Sequence, residues 1–152
     1  MNDIIIQDLK EIVTTNCTKE WCKLPYPQHK KGCPNYGKEK CPPKADFFKN
    51  IISPPFKLVA VRFNLEEHTK KMKEKHPNWS DKQARCVLYW QKGVDKKLKQ
   101  ECEKIANDNI ILYRPEAHGV NLFATCKNIG LILERNPQRF VWKMAIIGKK
   151  II

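Results

Sequence analysis

The chain has 152 residues, 41% of them hydrophobic, and its 29 lysines and arginines against 16 acidic residues give a net charge of +13. This length suits one domain, or one domain with a small appended module, and it permits a real hydrophobic core. Acidic residues near the start argue against a signal peptide, and no run approaches the roughly 18 apolar residues of a membrane span. We therefore expect a cytoplasmic protein without membrane contact, in which clustered cysteines indicate metal or redox chemistry rather than disulfides.

The positive charge is spread along the chain. Residues 1–16 carry −2, whereas residues 17–50, 51–108 and 109–152 carry +5 each. A charge distributed over the body of a protein is typical of a surface that meets a polyanion such as RNA, although a lysine-rich surface can also be non-functional.

The first predicted element is a helix over residues 3–14, with Asp3 as its N-cap and Ile5, Leu9, Ile12 and Val13 on one face. It leads into residues 16–44, which we call the cysteine segment. This segment has almost no aliphatic residues, and it holds five prolines and four of the seven cysteines: Cys17, Cys22, Cys33 and Cys41. Such a segment cannot bury enough apolar surface to offset the entropy of ordering, which favours a metal centre as its organising element.

Downstream, the pattern predicts a strand over residues 57–63 and a helix that Asn64 caps and that runs to about His76. Ser80 and Gln83 form a capping box for a longer helix whose core-facing stripe is Cys86, Trp90, Val94, Leu98, Cys102 and Ile105. A strand at residues 109–113, a helix at 121–128 that Gly130 ends, and a strand at 140–147 complete the chain.

This order predicts an α+β or small α/β fold, a thin sheet covered by helices, with the cysteine-rich metal-binding loops at its N-terminal end. Three strands make a thin sheet, so a missed strand near residues 131–134 is one expectation. The Pro54-Pro55 pair suggests a division into a cysteine-rich module, residues 1–53, and a scaffold, residues 54–152, packed as one unit.

The spacing of the four cysteines is C-x4-C-x10-C-x7-C, which is neither a zinc-ribbon nor a bacterial ferredoxin pattern. Proline follows Cys33 and Cys41 directly, as is common for ligands in iron–sulfur loops. We expect a 4Fe-4S cluster on Cys17, Cys22, Cys33 and Cys41, with three ligands and one open iron as a variant. The alternative is structural zinc on the same residues, with His29 in place of Cys17.

Other residues are weaker candidates. Cys86 and Cys126 are alternative ligands, whereas Cys102 on the apolar stripe is expected to be a small core residue. Glu116 and His118 in the loop before a helix are candidates for general acid or base, against the simpler reading of a turn with a helix cap at Asn121. His68 and His76 are expected to be solvated. Candidate nucleic-acid contacts, in which rings stack on bases and lysines meet phosphates, are Lys30, Lys31, Tyr36 and Lys38.

Two stretches together carry a resemblance. CPNYGKEKCPP at residues 33–43 and RPEAHGVNLFAT at residues 114–125, followed by Gly130, resemble a family of predicted metal-binding proteins of unknown function. The two stretches lie toward opposite ends of the chain, so the resemblance implies most of the domain. It also implies that Cys33, Cys41 and Cys22 are ligands, and it adds less for Cys17. Several members have a second cysteine group before the Arg-Pro segment; residues 104–113 hold none here, so a single centre is expected.

Two functions follow as hypotheses. The first is an iron–sulfur protein with redox or sulfur-transfer chemistry on RNA. The second is a non-catalytic module in which zinc holds the N-terminal loops together and the basic surface binds nucleic acid. A small domain with incidental cysteines is the third possibility.

Overall fold

The computed structural model describes residues 3–14, 47–134 and 139–151. Its centre is a four-stranded antiparallel sheet in the order β1-β2-β4-β3, which confirms the predicted α+β class. The strands and helices, in chain order, are β1 (Asp3–Leu9), β2 (Ile52–Asn64), α1 (Leu65–Lys75), α2 (Asp81–Ala84), α3 (Gln91–Ala106), β3 (Ile110–Tyr113), α4 (Leu122–Lys127) and β4 (Phe140–Lys150). Short 3₁₀ turns lie at Phe48–Asn50, Val87–Tyr89 and Pro115–His118.

The helix predicted for residues 3–14 is wrong, because this segment forms edge strand β1. It pairs with β2 over its whole length, from Asp3 opposite Arg62 to Leu9 opposite Phe56. The isoleucines favour the extended backbone, and alternation sends Ile5 and Leu9 to one core and Ile4 to the other. This is the strand that the three-strand estimate lacked, since residues 131–134 are not extended in a strand.

The strand predicted for residues 57–63 is confirmed and is longer than expected. β2 begins at Ile52 and runs through Pro54-Pro55, where its register with β4 shifts between Ser53 and Lys57. Proline has no amide hydrogen for a ladder, so a register shift in a central strand is a position that tolerates it. Residues on both sides of the predicted module boundary therefore belong to one strand.

Both predicted helix starts are confirmed. Asn64 Oδ1 accepts a hydrogen bond from the Glu67 N–H, and Ser80 and Gln83 form the complete capping box. The single long helix from Ser80 is wrong, because α2 has only four residues and the chain turns at residues 85–90 before α3 begins. At this turn the Trp90 indole donates to the Arg85 carbonyl and its ring stacks on Phe63, with centroids 4.9 Å apart.

Each face of the sheet has its own hydrophobic core. On one face, Val59, Val61, Ala145 and Ile147 pack against the stripe of α3 that Trp90, Val94, Leu98, Cys102 and Ala106 form. On the other, Leu58, Ala60, Met144 and Ile146 contact residues from short elements that are far apart in the sequence, among them Phe48, Val120 and Cys126. None of the helices in the described part of the chain is long and apolar enough to cross a membrane.

Candidate metal centre

The predicted metal ligands lie outside the described residues. This holds for Cys17, Cys22, Cys33 and Cys41, for the alternative ligand His29, and for the candidate nucleic-acid contacts Lys30, Lys31, Tyr36 and Lys38. What the structure describes is the backbone on either side of residues 15–46. The site is therefore built here from those two flanks and from what they contact.

The flank that precedes the cysteine segment is held by three contacts. The Val13 N–H donates to Thr125 Oγ1 at 3.0 Å, and the Val13 carbonyl accepts from the Asn121 N–H at 2.7 Å. Thr14 then forms an isolated antiparallel bridge with Val120. Thr125 is only 1% exposed and Val120 is fully buried. The chain is thus fixed against the segment around Val120 immediately before residue 15.

The flank that follows the cysteine segment contacts the same place. Phe47 lies so close to Gly119 that a Cβ atom on Gly119 would be 2.6 Å from Phe47 Cε2, well inside van der Waals contact. Phe48 is 2% exposed, and its ring centroid is 5.0 Å from that of Phe47. Gly119 also has φ +87°, a backbone conformation that favours glycine. Both features explain why glycine stands here.

Residues 114–121 connect the two flanks, and we call them the anchor loop. The loop begins at Arg114, which has a left-handed backbone with φ 54°, and continues into the 3₁₀ turn at Pro115–His118. The Val120 N–H donates to the Pro115 carbonyl at 3.2 Å. The loop ends where Asn121 Oδ1 accepts from the Ala124 N–H and so caps α4, as predicted. Residues 15–46 therefore leave from and return to one loop.

Glu116 and His118 are in this loop, beside both flanks. Glu116 is exposed and His118 is half-buried. The backbone features of a simple turn are present, because the Gly119 N–H donates to the Glu116 carbonyl at 3.3 Å and Gly119 adopts the left-handed conformation. A role for either side chain in acid or base chemistry stays a prediction.

Three cysteines lie in the scaffold. Cys102 is fully buried on α3, as expected of a core residue, and burial raises the pKa of its thiol to about 12. Cys126 is fully buried on α4, its Sγ is 3.5 Å from Met144 Sδ, and burial raises its pKa to about 11. A metal binds the thiolate, which such surroundings disfavour. Both residues therefore suit packing better than ligation.

Cys86 differs from these two. It is half-buried in the turn between α2 and α3, and it lines a shallow groove with Trp79, Lys82, Gln83 and Tyr89, which we call the Trp79 groove. Within residues 3–14, 47–134 and 139–151, no three His, Cys, Asp or Glu side chains come together as a metal site. In this part of the chain, neither Cys86 nor Cys126 belongs to such a group.

The two histidines predicted to be solvated differ, because His76 at the end of α1 is exposed and His68 within α1 is half-buried. His68 is half-buried beside Phe63, at 5.5 Å between ring centroids, and its buried Nε2 has no hydrogen-bond partner in the described part of the chain. Burial, followed by the charges of Lys71 and Lys75, lowers its pKa. His76 is exposed, yet it stacks on Trp79. The prediction therefore holds for the exposure of His76, whereas for His68 it missed the contact with Phe63.

Sequence reasoning missed Thr125 and the contact between Phe47 and Gly119. Thr125 bonds to a residue 112 positions away, and no local pattern reveals such a partner. The sequence around Glu116 and His118 predicts a turn, but it does not reveal that the ring of Phe47 packs on Gly119. Comparisons of the chain with protein-family models, curated proteins and solved structures find no match.

Proposed function

We propose that this protein holds an iron–sulfur cluster on Cys17, Cys22, Cys33 and Cys41, and that the anchor loop fixes the segment that carries it. The observation that supports this most is the shared attachment of the two flanks. Thr14 pairs with Val120 and Phe47 packs on Gly119, so the segment is closed at its base by the scaffold. Closure removes part of the entropy that four cysteines must otherwise overcome to reach one centre.

The attachment of both flanks to the anchor loop suggests a physical reason why the two stretches of the family resemblance occur together. Its two stretches, residues 33–43 and 114–125, are far apart in sequence, and the second contains the anchor loop together with Thr125. A segment that binds a centre and a loop that holds this segment form one unit. We propose on this basis that the chain is related to the family of predicted metal-binding proteins.

The four cysteines of the cysteine segment are better candidates for cluster ligands than the buried cysteines of the scaffold. Thiolates suit iron–sulfur centres and zinc, and an iron–sulfur cluster supplies electron transfer or a binding place for sulfur. Cys102 and Cys126 are held as thiols by burial. We propose redox or sulfur-transfer chemistry in the cytoplasm, with RNA as the substrate because of the distributed positive charge.

The test is the metal content of protein purified without oxygen. If a 4Fe-4S cluster is bound, we expect brown protein with a broad absorption band at about 400 nm and about four irons per chain. Cys41→Ala should abolish the colour, whereas Cys102→Ala, the matched control in the core, should keep it. Loss of colour in Cys102→Ala with retention in Cys41→Ala would overturn the ligand assignment.

The same measurement separates the alternative. Colourless protein with one zinc per chain that Cys41→Ala removes would instead support the zinc-stabilised nucleic-acid-binding module. Protein without stoichiometric iron or zinc, prepared anaerobically from cells supplied with both, would contradict both proposals.

A further inference from the structure

None of the described residues that line the Trp79 groove belongs to the anchor loop. It has a volume of about 280 Å³, near the lower end of the roughly 300–1,000 Å³ of small-ligand clefts. Tyr89 at its rim is 54% exposed, and the neighbouring Leu88 is 82% exposed. An exposed aromatic ring beside a groove of this size is suited to a small planar group.

The rings at the groove are already arranged as a stack. His76 lies on Trp79 with centroids 3.9 Å apart and planes 12° from parallel, and Tyr89 lies 5.2 Å from Trp79 at 30°. The backbone beneath them is fixed, because the Trp79 N–H donates to the His76 carbonyl and the capping box begins at Ser80. A ligand that stacks here therefore meets rings that need little further ordering.

The charge around this stack is positive. Residues 65–85, which include α1 and α2, contain five lysines and one arginine against four acids, which is a net charge of +2. Glu67 in the first turn of α1 is paired with Lys71. Asp81 is paired with Lys73, whose hydrogen bond and charge keep the pKa of that carboxyl low. Lys82 itself lines the groove. The surroundings therefore complement an anionic ligand.

A planar stacking group joined to anions is the chemistry of a nucleotide strand. In single strands the bases present free ring faces to aromatic side chains while lysines contact the phosphates, whereas a duplex hides those faces. A protein partner would be expected to cover a larger apolar patch. Within residues 65–106, all of which the structure describes, Leu88 is the one large aliphatic residue that is strongly exposed.

We propose that the Trp79 groove binds single-stranded nucleic acid, with unpaired bases stacked on Trp79 and Tyr89 and with lysines of α1 and α2 at the phosphates. The residues that carry this proposal are not among the four expected ligands Cys17, Cys22, Cys33 and Cys41, so it does not depend on whether a cluster or zinc is bound. The site brings a nucleic-acid strand to the protein without any role for those four cysteines.

The first experiment measures the binding of the full-length protein, as purified, to fluorescein-labelled uridine and thymidine oligomers of about 12 nucleotides by anisotropy. Trp79→Ala and Tyr89→Ala should each weaken binding by between about 5-fold and 150-fold, the range for loss of one base stack. Tyr113→Ala, which removes an exposed ring from β3, should leave it unchanged. Equal effects of Trp79→Ala and Tyr113→Ala would overturn the proposal.

A second measurement needs no variant and so does not depend on folding of the Trp79 substitution. The wild-type protein should bind an abasic oligomer of the same length, and a duplex of the same sequence, at least about fivefold more weakly than the single strand. Equal binding of all three would mean that charge alone attracts them, which contradicts stacking. Trp79→Ala should keep the bound metal, so this result is distinguishable from failure of the cluster proposal.

The two oligomers distinguish the sources of the strand. If either oligomer binds and Trp79→Ala weakens that binding, base stacking in the groove is supported. Tighter binding of the uridine oligomer than of the thymidine oligomer assigns the site to RNA. Absence of binding to both would overturn it. Self-association that Leu88→Lys abolishes would in that case identify the groove as a contact between copies of the chain.

Discussion

The two faces of the sheet are built in different ways. On the α3 face, one helix supplies a continuous stripe from Trp90 to Ala106 that packs on β2 and β4. On the opposite face, the core is assembled from the end of β1, the turn at Phe48, the anchor loop and α4. Thr14 and Phe47, the described neighbours of residues 15–46, attach to the second face. The difference indicates that the α3 face stabilises the fold, whereas the anchor-loop face also holds the cysteine segment.

The sharpest test of this comparison is a cavity on the α3 face. Leu98→Ala removes a side chain that is 5% exposed, and it should lower the free energy of unfolding by about 2–5 kcal/mol. Because this residue is remote from the flanks, the metal bound per folded chain should not change. Urea unfolding and metal analysis of the folded fraction check both. Loss of metal at full folding would break the proposed separation of the faces.

A change of similar size on the anchor-loop face should behave differently. Gly119→Ala places a Cβ on a left-handed backbone and 2.6 Å from Phe47. Backbone strain and overpacking together should lower the free energy of unfolding by about 2–4 kcal/mol. Phe47 must move, so trypsin should cleave faster after the lysines of residues 15–46, and metal should be lost more readily.

Gly130→Ala is the matched control for that substitution. Gly130 has φ +82°, but no atom of the residues that the structure describes lies within 4 Å of the Cβ it would gain. Gly130→Ala should lower the free energy of unfolding only by the backbone strain, about 1–2 kcal/mol, and it should leave tryptic cleavage within residues 15–46 unchanged. If trypsin cleaves the two alanine variants at the same rate, the contact between Gly119 and Phe47 does not hold the cysteine segment.

A smaller effect is expected at the first flank. Thr125→Val keeps the shape of the side chain but removes the acceptor of the Val13 N–H, and it should cost about 1–3 kcal/mol. Thr69→Val is the control, because the Thr69 hydroxyl donates a hydrogen bond to the Leu65 carbonyl in its own helix. Hydrogen exchange of the Val13 amide should accelerate in the first variant. An unchanged exchange rate would exclude Thr125 as an anchor.

The smallest effect concerns the ion pairs that Glu101, a residue only 9% exposed, forms on α3 with Lys97 and Lys104. Hydrogen bonds from Lys104 and Lys97 lower the pKa of Glu101 from its ordinary 4.5. A lowered carboxyl pKa stabilises the fold above the ordinary value, and this contribution is lost as the pH falls through the lowered one. Glu101→Gln should therefore melt slightly below the wild type at pH 7, and the gap should close in acid. A gap that widens in acid would contradict this sign.

The α3 face was largely predictable and the anchor-loop face was not. The stripe of Trp90, Val94, Leu98 and Cys102 repeats at four-residue spacing within one helix, so local periodicity reveals it. The break at residues 85–90 was missed, because it depends on the indole of Trp90 reaching the Arg85 carbonyl. Caps at Asn64, Ser80 and Asn121 were predicted, since each bond spans only three residues.

The N-terminal strand shows the limit of local patterns. Ile5, Leu9, Ile12 and Val13 have helical spacing, but β2 offers seven residues of antiparallel pairing that sequence alone does not display. The predicted cysteine ligands were selected by residue type and remain predictions. The contacts that hold their segment, at Thr125 and Gly119, join residues more than 70 positions apart and have no local signature.

The return of the chain to its point of departure has a consequence for engineering. Residues 15–46 form a 32-residue insertion whose neighbours, Thr14 and Phe47, contact adjacent residues of one loop. The sheet and its helices therefore do not need that insertion for their own connectivity. A bridge of about four residues should replace the insertion, and it should lower the entropic cost of closing the loop by about 2 kcal/mol. The excised stretch could equally be transplanted between two neighbouring strand ends of another protein.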